Sequence, residues 1–563
     1  MNNHKIVLTG MMVLFLVCLA FSTSQIRAEP IRASQIFEVT TTANDGPGSL
    51  RQAITDANNN SDTLDYIYFD IPTSDEGHDS DTGVWTISLS SVLPQLNDLA
   101  GVEIHGETQA GTSPLPRVIV KATAAIPEGA DLFTITGDYN KIWHLGLYNS
   151  RGDGIVIDGE YNNISNNLIF SSLHYGIRLF FSVRYNTIEN NRIWGYGSGG
   201  IYLDYSNFNS ITNNIIGLQP PLAALPINAG NGITLYDSIY NVIENNTIGL
   251  NSGHGIASIE AGLNYIWGNF VGLNEDLSLV KGNQGHGIYI YNGFDESVRG
   301  NWVAANSLDG IRLEGENTSS VNIEKNRIGM HMFGPAPNLH HGIGIYNGAH
   351  DNDVGSETEP DKYNYVTRNG WSGVVVVNSP IGKNSIANNY ILYNQYYGVH
   401  INNSPDNDLL ANVIVGNGDS GTYAGVRVEN SSGLEGASHC NTIMDNRIGN
   451  NSGLGIQLVL DANHDIQNPT IISASCTYVL GTTTAACGTS CQVQIFSDDE
   501  DEGSILEGTV TTVGEGNFGW SGFLHGPNVT ATVTDAEGNT SEFSLPKVNA
   551  CIRKLQYLPL IMQ

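Results

Sequence analysis

The sequence predicts an all-β protein: a long parallel β-helix solenoid closed by a helix at its front, then a small β-sandwich. Three observations predict it. Between Asn140 and Val459 one pattern recurs twelve times: Asn, any residue, Ile, two spacers, Asn, any residue, Ile, then a loop closing in Gly-Ile. The closing glycines, from Gly154 to Gly455, are 22 to 32 residues apart, and fixed-period self-similarity means a stacked array. Within each unit the apolar residues alternate in short runs of Ile, Val and Tyr, which is strand period and not helix period. Three short strands per 22–24 residues make one coil, and longer units carry an extra loop, as in 218–231 and 273–284. Propeller blades would need four longer strands each.

In chain order, residues 1–28 read as a secretion signal: Lys5, an apolar run from Ile6 to Phe21, and cleavage after Ala28. The run is too short to span a membrane, and no other 18-residue apolar stretch occurs. Residues 29–65 read as a cap of one strand and one amphipathic helix. Ser49 and Gln52 have capping-box spacing, while Leu50, Ala53, Ile54 and Ala57 make one apolar face. Residues 66–468 form the solenoid. Its Asn and Ile are structural: Asn amides hydrogen-bond up the stack, Ile side chains pile into a column, and each coil is stable only against its neighbours. The closing glycines are expected to turn corners of positive φ. Residues 469–548 lose the Asn ladders and show short alternating strands with turn signals, a β-sandwich. Residues 549–563 are an apolar tail.

The opening "FEVTTTANDGPGSLRQAITDANNN", the strand Asp65–Phe69 and "VEIHGETQAGTSPLP" from Val102 resemble secreted bacterial right-handed parallel β-helix proteins. The resemblance implies a right-handed solenoid over roughly 36–460. "TATVTDAEGNTSEFS" is similar to bacterial Ig-like domains, which implies a presenting module without chemistry.

Removing residues 1–28 takes away Lys5 and Arg27 and no acid, so the net charge moves from −32 to −34. Such a surface repels phosphate backbones, which excludes nucleic acid as a partner. Export leaves Cys440, Cys476, Cys487, Cys491 and Cys551, an odd number, in a compartment where disulfides form.

In a solenoid a site is written as a row across coils. The residue before each closing Gly gives His254, His286, Asp309 and His341 on four consecutive coils. That is an acid-base or metal constellation, against the plainer reading of a tolerant corner. The closing strand gives Tyr202, Tyr236, Tyr289, Tyr291, Arg312, Glu314 and Tyr346, the composition of a sugar-binding face. "GHGIASI" at Gly253 resembles the Gly-His-Gly of polygalacturonases. Their other motifs are absent from the array, and pectate lyases need clustered Asp and an Arg or Lys base, whereas basic residues here are few and scattered. No cofactor is required; calcium is admitted by the acidic runs Asp75–Asp81 and Asp498–Glu502, which are more often solvated faces. The expectation is a monomeric exported protein, extracellular or on the cell surface, that binds polysaccharide without catalysis. The alternative is a polysaccharide lyase or glycoside hydrolase using the His row.

Overall fold

A computed structural model describes residues 34–60, 63–111, 115–218, 228–274, 280–419, 421–434, 437–484 and 490–550. The expected leader, the tail from Cys551 and the loop segments 219–227 and 275–279 lie outside the described residues. Three long sheets form the faces of a parallel β-helix. Face 1 has 15 strands, from Ile36–Val39 to Thr442–Met444; face 2 has 15, from His78–Asp79 to Arg447–Gly449; face 3 has 13, from Phe133–Ile135 to Ile456–Val459. Each full coil adds one strand to face 3, then face 1, then face 2. An antiparallel edge, His78–Asp79 against Val84–Leu89, starts face 2.

The alternation read in the sequence sets which side chains enter the core. In Ile288–Tyr291 both Ile residues are buried, while Tyr289 is half-buried and Tyr291 exposed. The register never slips: Ile256, Ile288, Ile311 and Ile343 pair in sequence, and all four are fully buried. Each such side chain stabilises the stack by about 1.5–3 kcal/mol.

Asparagine ladders brace the turns. The Asn269 side-chain oxygen accepts both the backbone N–H and the side-chain amide of Asn246, at 2.9 and 3.0 Å. Asn246 also donates to the Ile211 carbonyl of the preceding coil. The two predicted Asn positions each build such a ladder. A third, which the repeat pattern had not singled out, runs Asn251, Asn283, Asn306, Asn338, Asn369, Asn394, Asn417, Asn451.

The closing glycines serve a different purpose from the one expected. None has positive φ; the left-handed corners are held by Asn166, Asn190, Asn213 and Asn245, each just before a ladder Asn. A Cβ on Gly255 would lie 2.4 Å from Val271 Cγ1 and 2.7 Å from the Gly287 carbonyl. Glycine is there because the next coil passes too close for a side chain.

At the front, helix α1 (Leu50–Asn58) lays Leu50, Ala53, Ile54 and Ala57 into the solenoid core, with Ser49 Oγ accepting the Gln52 N–H. At the back, two antiparallel sheets of three and four strands enclose a separate core including Val479, Val493, Ile495 and Val529. They sit on the last coil. The Glu502 carboxylate accepts the Asn451 backbone N–H and side-chain amide at 3.1 and 3.2 Å, taking the place of the next Asn. Asn463 closes another ladder by donating to the Thr540 carbonyl. Cys476 and Cys491 each take part in a disulfide, and Cys440 is a free thiol.

Candidate functional site

On these coils the residue before the closing Gly stands two residues ahead of a face 3 strand (Ile256–Ile259, Ile288–Tyr291, Ile311–Glu314, Ile343–Tyr346), where a backbone N–H needs an acceptor from the neighbouring coil. His254, His286, Asp309 and His341 do lie on consecutive coils, and they supply it. Asn231 Oδ1 accepts the His254 N–H at 2.8 Å. His254 Nδ1 then accepts the His286 N–H at 3.0 Å, and His286 Nδ1 the Asp309 N–H at 3.1 Å. Asp309 Oδ1 accepts the His341 N–H at 3.0 Å, and His341 Nδ1 the Ser372 N–H at 3.2 Å. Imidazole Nδ1 and carboxylate Oδ1 stand at the same reach as the Asn oxygen, so one position takes all three residue types.

A histidine accepting at Nδ1 carries its proton on Nε2 and stays neutral. Burial, then the Arg312 charge, pulls His254 down to about 4. Burial with His254 and Arg312 pulls His286 to about 2, and burial with His400 and His340 pulls His341 to about 3. Burial raises Asp309 despite the opposing pull of Arg312. Among the described residues no three His, Cys, Asp or Glu are grouped to hold a metal ion. The acidic runs make local bonds: Asp75 accepts from Thr41, Thr42 and Gly77, and Asp498 from Glu500 and Ser504.

Outward from this row five of the predicted face residues converge. Arg312 is central: its Nε lies 2.9 Å from Glu314 Oε2, its Nη1 3.3 Å from Asp309 Oδ2, and its guanidinium 3.8 Å from the Tyr346 ring centre. Tyr289 donates to Glu314 at 3.1 Å and stacks on His254 at 4.6 Å; Tyr291 lies 6.2 Å beyond it. Burial works to raise the Glu314 carboxyl, but the Arg312 bond and charge outweigh it and hold it low. The ensemble is a rigid plate of rings and paired charges.

Tyr202 and Tyr236 do not join it. Thr234 and Ala257 separate Tyr202 from Tyr289 in the register, and Tyr236 packs on Tyr205 at 5.6 Å. Tyr202 belongs instead to a group at the front of face 3, where Arg178 pairs with Asp204 at 3.0 Å and lies over the Phe180 ring. A cavity of about 410 Å³ opens beside it, lined by Asp131, Asp153, His174, Arg178 and Phe180 among others.

The sequence reading missed an aromatic strip two residues before the closing glycines. His340 stacks on Trp371 at 4.1 Å, Trp371 lies parallel to Tyr396 at 6.2 Å, and Tyr396 stacks on Tyr423 at 4.5 Å. His341 meets Trp371 edge-on. Trp371 and Tyr396 are 39% and 37% exposed, so the strip faces solvent beside the plate. Its signal was a constant offset from Gly342, Gly373, Gly398 and Gly425.

A sequence family described as "Periplasmic copper-binding protein (NosD)" matches residues 117–277. No curated protein matches the chain. Among solved structures it is similar to the A-module of an Azotobacter vinelandii mannuronan C-5 epimerase, with 14% identity, 67% of this chain and 95% of that one covered, and a TM-score of 0.38. It is also similar to the Dettilon tailspike protein (12% identity, 92% of each chain, TM-score 0.42). A third is a Streptomyces thermodiastaticus α-1,3-glucanase (14% identity, 78% and 70% covered, TM-score 0.38). No helix among the described residues is long and apolar enough to cross a membrane.

Proposed function

We propose that this chain is an exported right-handed solenoid, ending in an Ig-like module, that binds polysaccharide outside the cytoplasm and does not transform it. The leader-like start and the periplasmic description of the matching family support export. One observation carries the binding reading: an aromatic strip, Trp371–Tyr396–Tyr423, exposed at Trp371 and Tyr396, flanks a plate whose charged groups are already paired. Sugar rings pack on such aromatic surfaces while their hydroxyls meet fixed donors and acceptors. The same geometry argues against catalysis by the His row, because a base must reach substrate with a free lone pair. Each Nδ1 there already accepts a backbone N–H. A glycan array run on wild type and on Trp371→Ala is expected to hold at least one polysaccharide whose binding the variant abolishes, while an array without such a hit would end this reading.

A polysaccharide lyase or hydrolase keeps one foothold, away from the His row. In the front cavity, burial and then the Asp131 charge hold Asp153 at about 6, against the Tyr175 N–H bond that lowers it. That is the range of a general acid. Release of reducing ends or unsaturated sugars from a polysaccharide panel tests it, and a wholly inert panel removes it.

A further inference from the structure

At the corner between faces 3 and 1 a second row of rings stands in the open. Tyr139, Tyr161, Tyr185, Phe208 and Tyr240 lie on successive coils, stacked with centres 4.9–5.5 Å apart. Each is 40–54% exposed. All five are left-handed, with φ between 55° and 59°. A bulky L-residue there carries roughly 1–2 kcal/mol of strain. Stacking returns about 0.5–1.5 kcal/mol per pair, so the fold gains little from the rings. Later coils provide an internal control. Asp295, Ser320, Asp351 and Asp406 make the same left-handed turn at the equivalent position, just before the next coil's Glu296, Val321, Asn352 and Asn407. In these four coils the corner takes the conformation without an aromatic ring.

We infer that these five residues form a second docking rail, separate from the Trp371 strip, for a neutral linear polysaccharide lying along the solenoid axis. Three features select this occupant. The rail is periodic, one ring per coil, close to the advance of one sugar in an extended chain, so its ligand is a repeating polymer. The surroundings are balanced or acidic, with Glu160 paired to Arg184 at 2.8 Å in a chain of net charge −32, which disfavours polyanions and anionic lipid. At roughly 150–250 Å² per aromatic residue, the exposed parts sum to on the order of 500 Å². A second copy of the chain would need about 800 Å² from each partner. The rings lie face to face along the stack, so an extended sugar chain on this axis meets their edges and, at Tyr139, Tyr161, Tyr185 and Tyr240, the tyrosine hydroxyls.

The test uses the full-length protein and calorimetric titration with neutral tri- and hexasaccharides of linear glucan, xylan and mannan. The expected result is hexasaccharide binding stronger than trisaccharide binding. In Tyr161→Asn/Tyr185→Asn it weakens by about tenfold or more with the melting temperature unchanged, and Trp371→Ala leaves it intact. Wild-type affinity in the double variant overturns the proposal. So does failure of all the hexasaccharides to bind, or ring-dependent sedimentation with phosphatidylglycerol vesicles. If the double variant melts early, Tyr161→Phe and Tyr185→Phe keep the stack and remove only hydroxyls. A loss of about threefold or more then supports the rail, and no loss overturns it.

Discussion

Glu296 occupies a ladder position where most coils write Asn. Its Oε1 accepts from Ser258 and Asn264, while Oε2 is buried without a hydrogen-bond partner. Burial raises its carboxyl to about 7. The unfolded chain ionises this group near 4.5 and the folded one near 7, so the folded state holds the extra proton between them. Glu296 therefore makes stability fall as pH rises through that window. Glu296→Gln is expected to raise stability at pH 8 by about 1–3 kcal/mol and flatten that slope, as measured by denaturant unfolding across pH. The row histidines act in the opposite sense. Their folded values, about 2 to 4, lie below the ordinary 6.5, so the unfolded chain takes up protons first and stability drops as pH falls below 6.5. Because the windows overlap, each is read as a difference from its own variant. His286→Asn keeps an acceptor for the Asp309 N–H and is expected to fold with near wild-type stability. His286→Ala leaves that N–H unpaired and costs about 1–3 kcal/mol, a contrast that thermal melts resolve.

At the scale of the coil, the periodic features were legible and the reasons for some of them were not. Two Asn ladders and the Ile column follow from fixed offsets, because equivalent residues stack directly. The third ladder stands four residues before most closing glycines but escapes attention because the loops ahead of it vary in length. The glycines themselves were given the wrong reason. Sequence shows that a small residue recurs, and both a left-handed φ and a close approach produce that pattern. Gly255→Ala tests the close approach: its Cβ would meet Val271 and the Gly287 carbonyl, so a loss of about 1–3 kcal/mol is expected. An unchanged melting temperature would contradict the close approach.

For the whole molecule, the last coil is closed by the sandwich through Glu502, Asn539 and Thr540. Glu502→Ala is expected to raise amide exchange around 446–456, whereas Glu502→Gln, which keeps an acceptor, is not. The site was half legible. The row His254–His286–Asp309–His341 was correctly placed in space, yet hydrogen-bond direction is not written in residue identity, and an acceptor ladder and a catalytic array call for the same side chains. Trp371 and Tyr396 were missed because aromatic residues are common in strand-rich sequence. The most direct measurement of the binding account is one polysaccharide, found by array with the Tyr161→Asn/Tyr185→Asn protein so that the rail does not contribute, titrated against that protein with and without His286→Asn or Trp371→Ala, with product analysis alongside. The account predicts unchanged affinity with His286→Asn, lost affinity with Trp371→Ala and an unaltered polymer. Cleavage or unsaturation of the polymer that His286→Asn abolishes would contradict it.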